Sequence, residues 1–273
     1  MIVFPKAKIN IGLRITARRS DGYHNIETLF YPVSLCDALE FVASPEANEK
    51  DLLSVTGISL GVNPEENIVI KAVSKLREKH SFPWLKIHLH KTIPHGAGLG
   101  GGSSDAACML KALKRHFSLS ISDQEMKSIA LDIGSDCPFF IDGDPAFAYG
   151  RGEILESINP MLSGCYLLLL NPGVGINTGE AYQNCRPETP VTSLRLLATH
   201  DISEWKDLIF NDFEEFSFKK HPVIKSIKDA LYSSGALFSS MSGSGSSVYG
   251  IFSGKPGNIP GDLKSIVIWE GLM

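Results

Sequence analysis

Pro94-His-Gly-Ala-Gly-Leu-Gly-Gly-Gly-Ser-Ser104 sets five glycines into eleven residues. The alternating Leu85, Ile87 and Leu89 before it predict a strand over 84–91, and Asp105 to Phe117 after it reads as a helix. Glycine lets a backbone approach a ligand closely. A glycine loop opening a helix offers free N–H groups, aided by the helix dipole, to an anion. The stretch therefore predicts a phosphate loop over Pro94, His95, Gly96, Ala97, Gly98, Leu99, Gly100, Gly101, Gly102, Ser103 and Ser104, with the two serine hydroxyls as further ligands for phosphate or magnesium. Gly96, Gly98 and Gly101 match GxGxxG, but Asp123 falls at a helix start and not at the end of a second parallel strand. The Gly-Lys-Ser/Thr of the Walker loop is also missing. The loop is of a third kind.

Upstream, Ala7, Ile9, Ile11, Leu13 and Ile15 share one face, while Lys8, Asn10, Gly12 and Arg14 share the other. That pattern predicts a half-buried strand. Residues 20–25 carry a turn signal, and 26–42 read as two strands broken near Asp37. Asn63-Pro64-Glu65-Glu66 predicts a helix start running to about Lys79. Ser122 to Leu131 predicts another helix, closed by Gly134. Past Gly150 come a buried strand (165–170), helices near 178–184, 192–199 and 222–233, and two strands within 236–252. Strands mixed with helices, without strict βα alternation, give an α+β class. A boundary near 150 divides the chain into 1–150 and 151–273.

The 273 residues carry a net charge of −4, with no basic stripe, which argues against nucleic acid as a partner. Cys36, Cys108, Cys137, Cys165 and Cys185 form no CxxC pair, so neither a disulfide framework nor a protein-built metal site is expected. His88 and His90 point to one face of a strand without a converging acid and read as structural. No signal peptide or apolar run of spanning length is visible, which gives the expectation of a cytoplasmic chain with no membrane partner, monomer or homodimer.

Three segments together resemble the GHMP kinase superfamily: Pro5-Lys-Ala-Lys-Ile-Asn-Ile-Gly-Leu13, the glycine loop, and Ser242-Gly-Ser-Gly-Ser-Ser247. The last uses Ser242 and Ser244 where the family favours threonine, which keeps the hydroxyls. Asp21-Gly-Tyr-His24, Gly98-Leu-Gly-Gly-Gly-Ser-Ser-Asp-Ala-Ala107, Gly134-Ser-Asp-Cys-Pro138 and Asn171-Pro-Gly-Val174 are similar to the branch acting on a cytidine-diphosphate-linked methylerythritol. The likeness covers nearly the whole chain. It implies a GHMP-kinase-like two-domain fold, an N-terminal ATP-binding and a C-terminal domain with mixed and antiparallel sheets and a cleft between them. It also implies ATP as co-substrate with Mg2+, and phosphoryl transfer to the 2-hydroxyl on the non-mevalonate route to isoprenoids.

The resemblance also assigns roles. Lys8, otherwise a solvated strand lysine, becomes a catalytic cation. Asp136, otherwise a helix-capping aspartate, becomes the group that orients or deprotonates the acceptor hydroxyl, kept ionised by Lys8. Tyr23 stacks on the cytosine and His24 bonds its edge; Tyr182 closes the sandwich, with Thr178 and Asn10 as polar contacts. Asn67 and Lys91 line the nucleotide pocket. The Asp-Gly-Tyr-His turn argues against an acceptor without a base, such as homoserine or mevalonate. The presence of Lys8 and Asp136 argues against a non-catalytic sensor. A nicotinamide oxidoreductase rests on the GxGxxG string alone.

Overall fold

The computed structural model describes residues 1–44, 50–59, 61 and 63–273. Helices and strands form two compact units, neither of them one continuous stretch. The first comprises Met1–Lys8, Pro32–His95 and Gly100–Asp144; the second comprises Ile9–Tyr31, Gly96–Leu99 and Pro145–Met273. No described helix is long and apolar enough to cross a membrane.

In the first unit a four-stranded sheet runs in the order Ile2–Val3, Ala38–Ala43, Leu85–Lys91, Leu52–Gly57, its last pair parallel. Leu85, Ile87 and Leu89 are buried and alternate with outward His88 and His90, as the period-two pattern predicts. Thr56 Oγ1 lies within hydrogen-bond reach of both histidine rings. The helices Ile68–Arg77, Gly101–His116, Asp123–Ile133 and Cys137–Asp142 complete the unit.

In the second unit the sheet order is Phe238–Met241, Val248–Phe252, Tyr166–Leu170, Val267–Leu272, antiparallel throughout. The helix Pro222–Ser233 buries Ile224, Ile227 and Leu231, at the spacing of one helical face. They join Leu168, Leu170, Met241 and Val248 in one core. A further sheet holds Lys6–Arg18, His24–Cys36, Ala146–Gly150 and Ile154–Ser157.

The structure corrects several expectations. The first long strand, Lys6–Arg18, is buried on both faces up to Leu13 and not on one, because its polar side chains have partners. The glycine-loop helix starts at Gly101, four residues before Asp105, so three glycine-loop residues and Ser104 belong to its first turn. The helix expected from Asn63 is split. Asn63 caps a short 3-10 turn, and Asn67 accepts from Val69 N to cap Ile68–Arg77. Cys137–Asp142 and Glu214–Lys220 are short helices that the sequence pattern does not reveal. The break at Asp37 and the helix after Ser122 agree with the pattern.

Leu231→Ala is expected to destabilise the chain by about 2–5 kcal/mol through the cavity it leaves. Urea unfolding with an unchanged m-value checks this.

Candidate active site

In the first unit, Lys8 is 3 % exposed although it carries a charge. Its ammonium lies 3.4 Å from Asp136 Oδ2. Burial pushes the Lys8 pKa below the usual lysine value, and Asp136 opposes that shift by attraction and hydrogen bonding. Asp136 sits at the N-terminus of Cys137–Asp142, yet its side chain makes no capping bond there. Its carboxylate faces Lys8 instead, with about a third of its side-chain surface open. The capping role that Asp-x-Pro suggests is therefore not the one its side chain performs.

The same unit holds the start of the helix Gly101–His116. Gly100, at φ 68°, takes the left-handed conformation that glycine allows. A Cβ there would lie 2.8 Å from the Phe140 ring and 3.2 Å from Lys8 Cε. The first-turn amides of Gly101, Gly102 and Ser103 have no intrahelical acceptor, while Ser104 N already bonds Gly100 O. Free amides at the favourable end of a helix dipole suit an anion. Burial pushes the Cys137 thiol up to about 12, with neighbouring Ser103 opposing the rise, so Cys137 stays protonated and unreactive. Ser104 is fully buried. Asn67 and Lys91 are buried as well. The Asn67 side chain is engaged as a helix cap, and the Lys91 ammonium lies between Asp37 and Asp105.

In the second unit, Gly96–Leu99 pack on the serine- and glycine-rich turn after strand Phe238–Met241. Ser242 Oγ donates to Gly98 O at 2.8 Å and accepts from Asn10 N at 3.1 Å. Tyr249 OH donates to Asn10 O at 2.8 Å, and Asn10 Nδ2 donates to Thr28 Oγ1 at 2.9 Å. Asn211 ties the turn down by donating to Met241 O and Gly243 O. A Cβ on Gly98 would collide with Ser242 O, and one on Gly245 with the backbone of Ala97 and Gly98. These two glycines serve backbone-on-backbone packing.

The same unit gathers Tyr23, His24, Thr178 and Tyr182. Tyr23 is 53 % exposed, and the Arg151 guanidinium lies 4.8 Å from its ring centre. Its turn is braced by Arg19, which bonds Asp21 and Asn25, and by Asp21 Oδ1 accepting from Tyr23 N. His24 stacks on Tyr182 at 4.8 Å and 17°, and Tyr182 meets buried Phe213 edge-on. Burial, helped by Arg18, lowers the His24 pKa, so its ring is neutral at pH 7, with one donor and one acceptor nitrogen. Thr178 Oγ1 lies 2.9 Å from Ser244 Oγ. Sequence reasoning missed Thr28, Arg151, Asp37 and Asp105. Each is joined to its partner across a long stretch of chain or lies outside a recognisable motif.

Comparison with known proteins extends this picture. The family of GHMP kinases N terminal domains matches residues 67–144, and that of GHMP kinases C terminal domains matches 193–261. The 4-diphosphocytidyl-2-C-methyl-D-erythritol kinase of Bacteroides thetaiotaomicron is 51% identical, covering 92% of each chain. That of Porphyromonas gingivalis is 44% identical over 100% of each. A solved 4-(cytidine 5'-diphospho)-2C-methyl-D-erythritol kinase superposes with a TM-score of 0.81 at 32% identity, covering 99% of this chain and 98% of its own. Streptococcus pneumoniae phosphomevalonate kinase, at 14% identity and a TM-score of 0.68 over 100% of this chain and 99% of its own, shares the fold.

The glycines separate by experiment. Gly102 sits in the helix with only Ile68 at 3.5 Å from an added Cβ. Gly102→Ala is expected to raise stability by about 0.5–1 kcal/mol through helix propensity. Gly98→Ala, at φ 76° and against Ser242 O, is expected to lower it by at least about 1–3 kcal/mol. Equilibrium denaturation of the two variants reads both signs.

Proposed function

Because this chain belongs to the 4-diphosphocytidyl-2-C-methyl-D-erythritol kinases of the GHMP superfamily, we propose that Lys8 and Asp136 carry out its phosphoryl transfer. The chain is an ATP-dependent kinase. It phosphorylates the 2-hydroxyl of 4-diphosphocytidyl-2-C-methyl-D-erythritol in isoprenoid precursor biosynthesis. The observation that carries the assignment of the chemistry is the buried ammonium of Lys8 set against a carboxylate that caps nothing.

The acceptor oxygen attacks the γ-phosphorus; the new O–P bond forms as the bond to the β-phosphate oxygen breaks, and ADP leaves. Such transfers ask a protein for alignment and charge neutralisation more than for covalent chemistry. Asp136 accepts the hydrogen bond of the acceptor hydroxyl, orients its lone pair and receives or relays its proton. Lys8, itself shielded from water, meets the charge that builds on the transferring group. The amides of Gly101, Gly102 and Ser103 hold the phosphates of ATP. Among the described residues there is no cluster of three or more candidate metal ligands. Magnesium keeps several waters and binds mainly through substrate phosphates with one or two carboxylates. Asp136 and the Ser103 hydroxyl are the hard oxygen donors suited to it, and the ion supplies charge neutralisation when bound.

Tyr23 and Tyr182 offer aromatic faces for the cytosine. The neutral His24 offers both a donor and an acceptor to its edge, the pattern a pyrimidine amide presents. Stacking of this kind is worth about 1–3 kcal/mol per base. With the rings at 4.8 Å, His24 covers one face of Tyr182, so a base stacking on that face displaces the histidine.

A coupled assay of ADP release against a panel of acceptors tests this reading. Turnover is expected with the cytidylylated methylerythritol and not with homoserine or mevalonate; turnover with either of the latter alone contradicts it. Asp136→Asn is expected to lower kcat by about 10²–10⁴-fold in a chain that still folds, with the melting temperature lowered by the loss of the countercharge to Lys8 and not by the loss of a cap. Near-normal kcat would remove Asp136 from the mechanism. Lys8 also sets a pH limit. Its active form is the ammonium, and burial moves its loss of a proton below the usual 10.5. The alkaline fall of kcat is therefore expected below that value, and Lys8→Arg, though less active, should show no such fall, because arginine stays charged.

A further inference from the structure

We infer that Lys91 is a positioning residue whose buried ammonium, bridging Asp37 and Asp105, clamps the backbone leading into the phosphate loop to the helix leading out of it. The inference rests on the reading of residues 94–104 as the site of the ATP phosphates. All three side chains are essentially fully buried. Lys91 Nζ donates to Asp37 Oδ2 and, at 2.7 Å, to Asp105 Oδ2.

Each carboxylate holds a different piece of chain. Asp37 Oδ1 accepts from Thr92 N at 2.6 Å and Ile93 N at 2.9 Å, the two residues just before Pro94. Its own amide donates to Pro5 O at 3.0 Å, on the segment that leads to Lys8. Asp105 lies one turn into the helix Gly101–His116. That helix seats directly on the clamp, since a Cβ on Gly101 would lie 2.9 Å from Ile93 Cγ2 and 3.3 Å from Lys91 Nζ. One ammonium thus fixes where the strand ends and where the first-turn amides of the helix point.

The charge balance agrees with this. Two carboxylates face one ammonium, and burial pushes the Asp105 pKa up to about 8, with Lys91 opposing and Asp37 adding to the rise. Asp105 Oδ1 is buried and meets no hydrogen-bond donor among the described residues. The Lys91 ammonium thus has a carboxylate on two sides. A side chain so fully occupied acts on the nucleotide through the backbone it holds.

The test compares Lys91→Met, Asp105→Leu and Asp105→Asn in the full chain. KM is read separately for ATP and for the cytidylylated acceptor, with thermal melts alongside. Lys91→Met and Asp105→Leu are expected to raise the ATP KM by about tenfold or more, as small misplacements of a binding group do. The acceptor KM should stay within about twofold of the parent. Asp105→Asn keeps the oxygen that Lys91 bonds and the size of the side chain, so it should restore the parental ATP KM. A lower melting temperature with an unchanged ATP KM overturns the inference in favour of a purely structural pin, and so does failure of both disruptive variants to fold. A raised ATP KM in Lys91→Met but not in Asp105→Leu overturns it too, because Lys91 would then touch the nucleotide itself. Gly102→Val tests the underlying reading independently. A folded Gly102→Val with normal ATP KM removes the phosphate loop, whereas loss there beside a normal Asp105→Leu removes only the clamp.

Discussion

An ammonium cannot be taken out of water without an answering charge, and the strand Lys6–Arg18 takes Lys8 out of water. Asp136 must therefore stand where it does. The short helix Cys137–Asp142 brings it there, and Phe140 from that helix leaves room at Gly100 only for a residue without a side chain. The left-handed turn at Gly100 then sets the start of Gly101–His116. The free first-turn amides and the charge pair thus follow from one electrostatic requirement. The cost of burying Lys8 appears as its lowered pKa.

Glycine serves two ends in this chain. At Gly100 it permits a backbone angle and a close approach to Phe140. At Gly98 and Gly245 it lets two loops in the second unit pack backbone on backbone, sealed by Ser242 Oγ bonding Gly98 O and Asn10 N. The serine that stands for the family's usual threonine at 242 makes these bonds with its hydroxyl alone. The C-terminal motif thus acts as a scaffold for Gly96–Leu99.

Much of this architecture is legible in the amino-acid sequence. The period-two pattern at 85–91, the break at Asp37 and the strand–loop–helix order around the glycines all follow from residue patterns. The pairing of Lys8 with Asp136 follows from family resemblance. The burial of the polar face of Lys6–Arg18 is not legible, because alternation tells which side chains share a face and not whether that face finds partners. The ion pairs of Lys91 are not legible, because Asp37 lies 54 residues away and Asp105 14, too far for any local pattern to connect them. Asp136 also reads as a helix cap, since Asp shortly before Pro is common at such positions; that its side chain makes no capping bond is visible only in the structure. The helix Cys137–Asp142 escapes because six residues give too little periodicity to count.

The central claim is that this chain moves one phosphoryl group from ATP to a single alcohol of its acceptor. Phosphorus NMR of the completed reaction, with carbon couplings locating the new ester, tests it most directly. The account predicts ADP and one new phosphomonoester on the 2-hydroxyl, with the acceptor's own diphosphate unchanged. ADP with free phosphate and no new ester, or a new phosphate joined to the diphosphate, would contradict it.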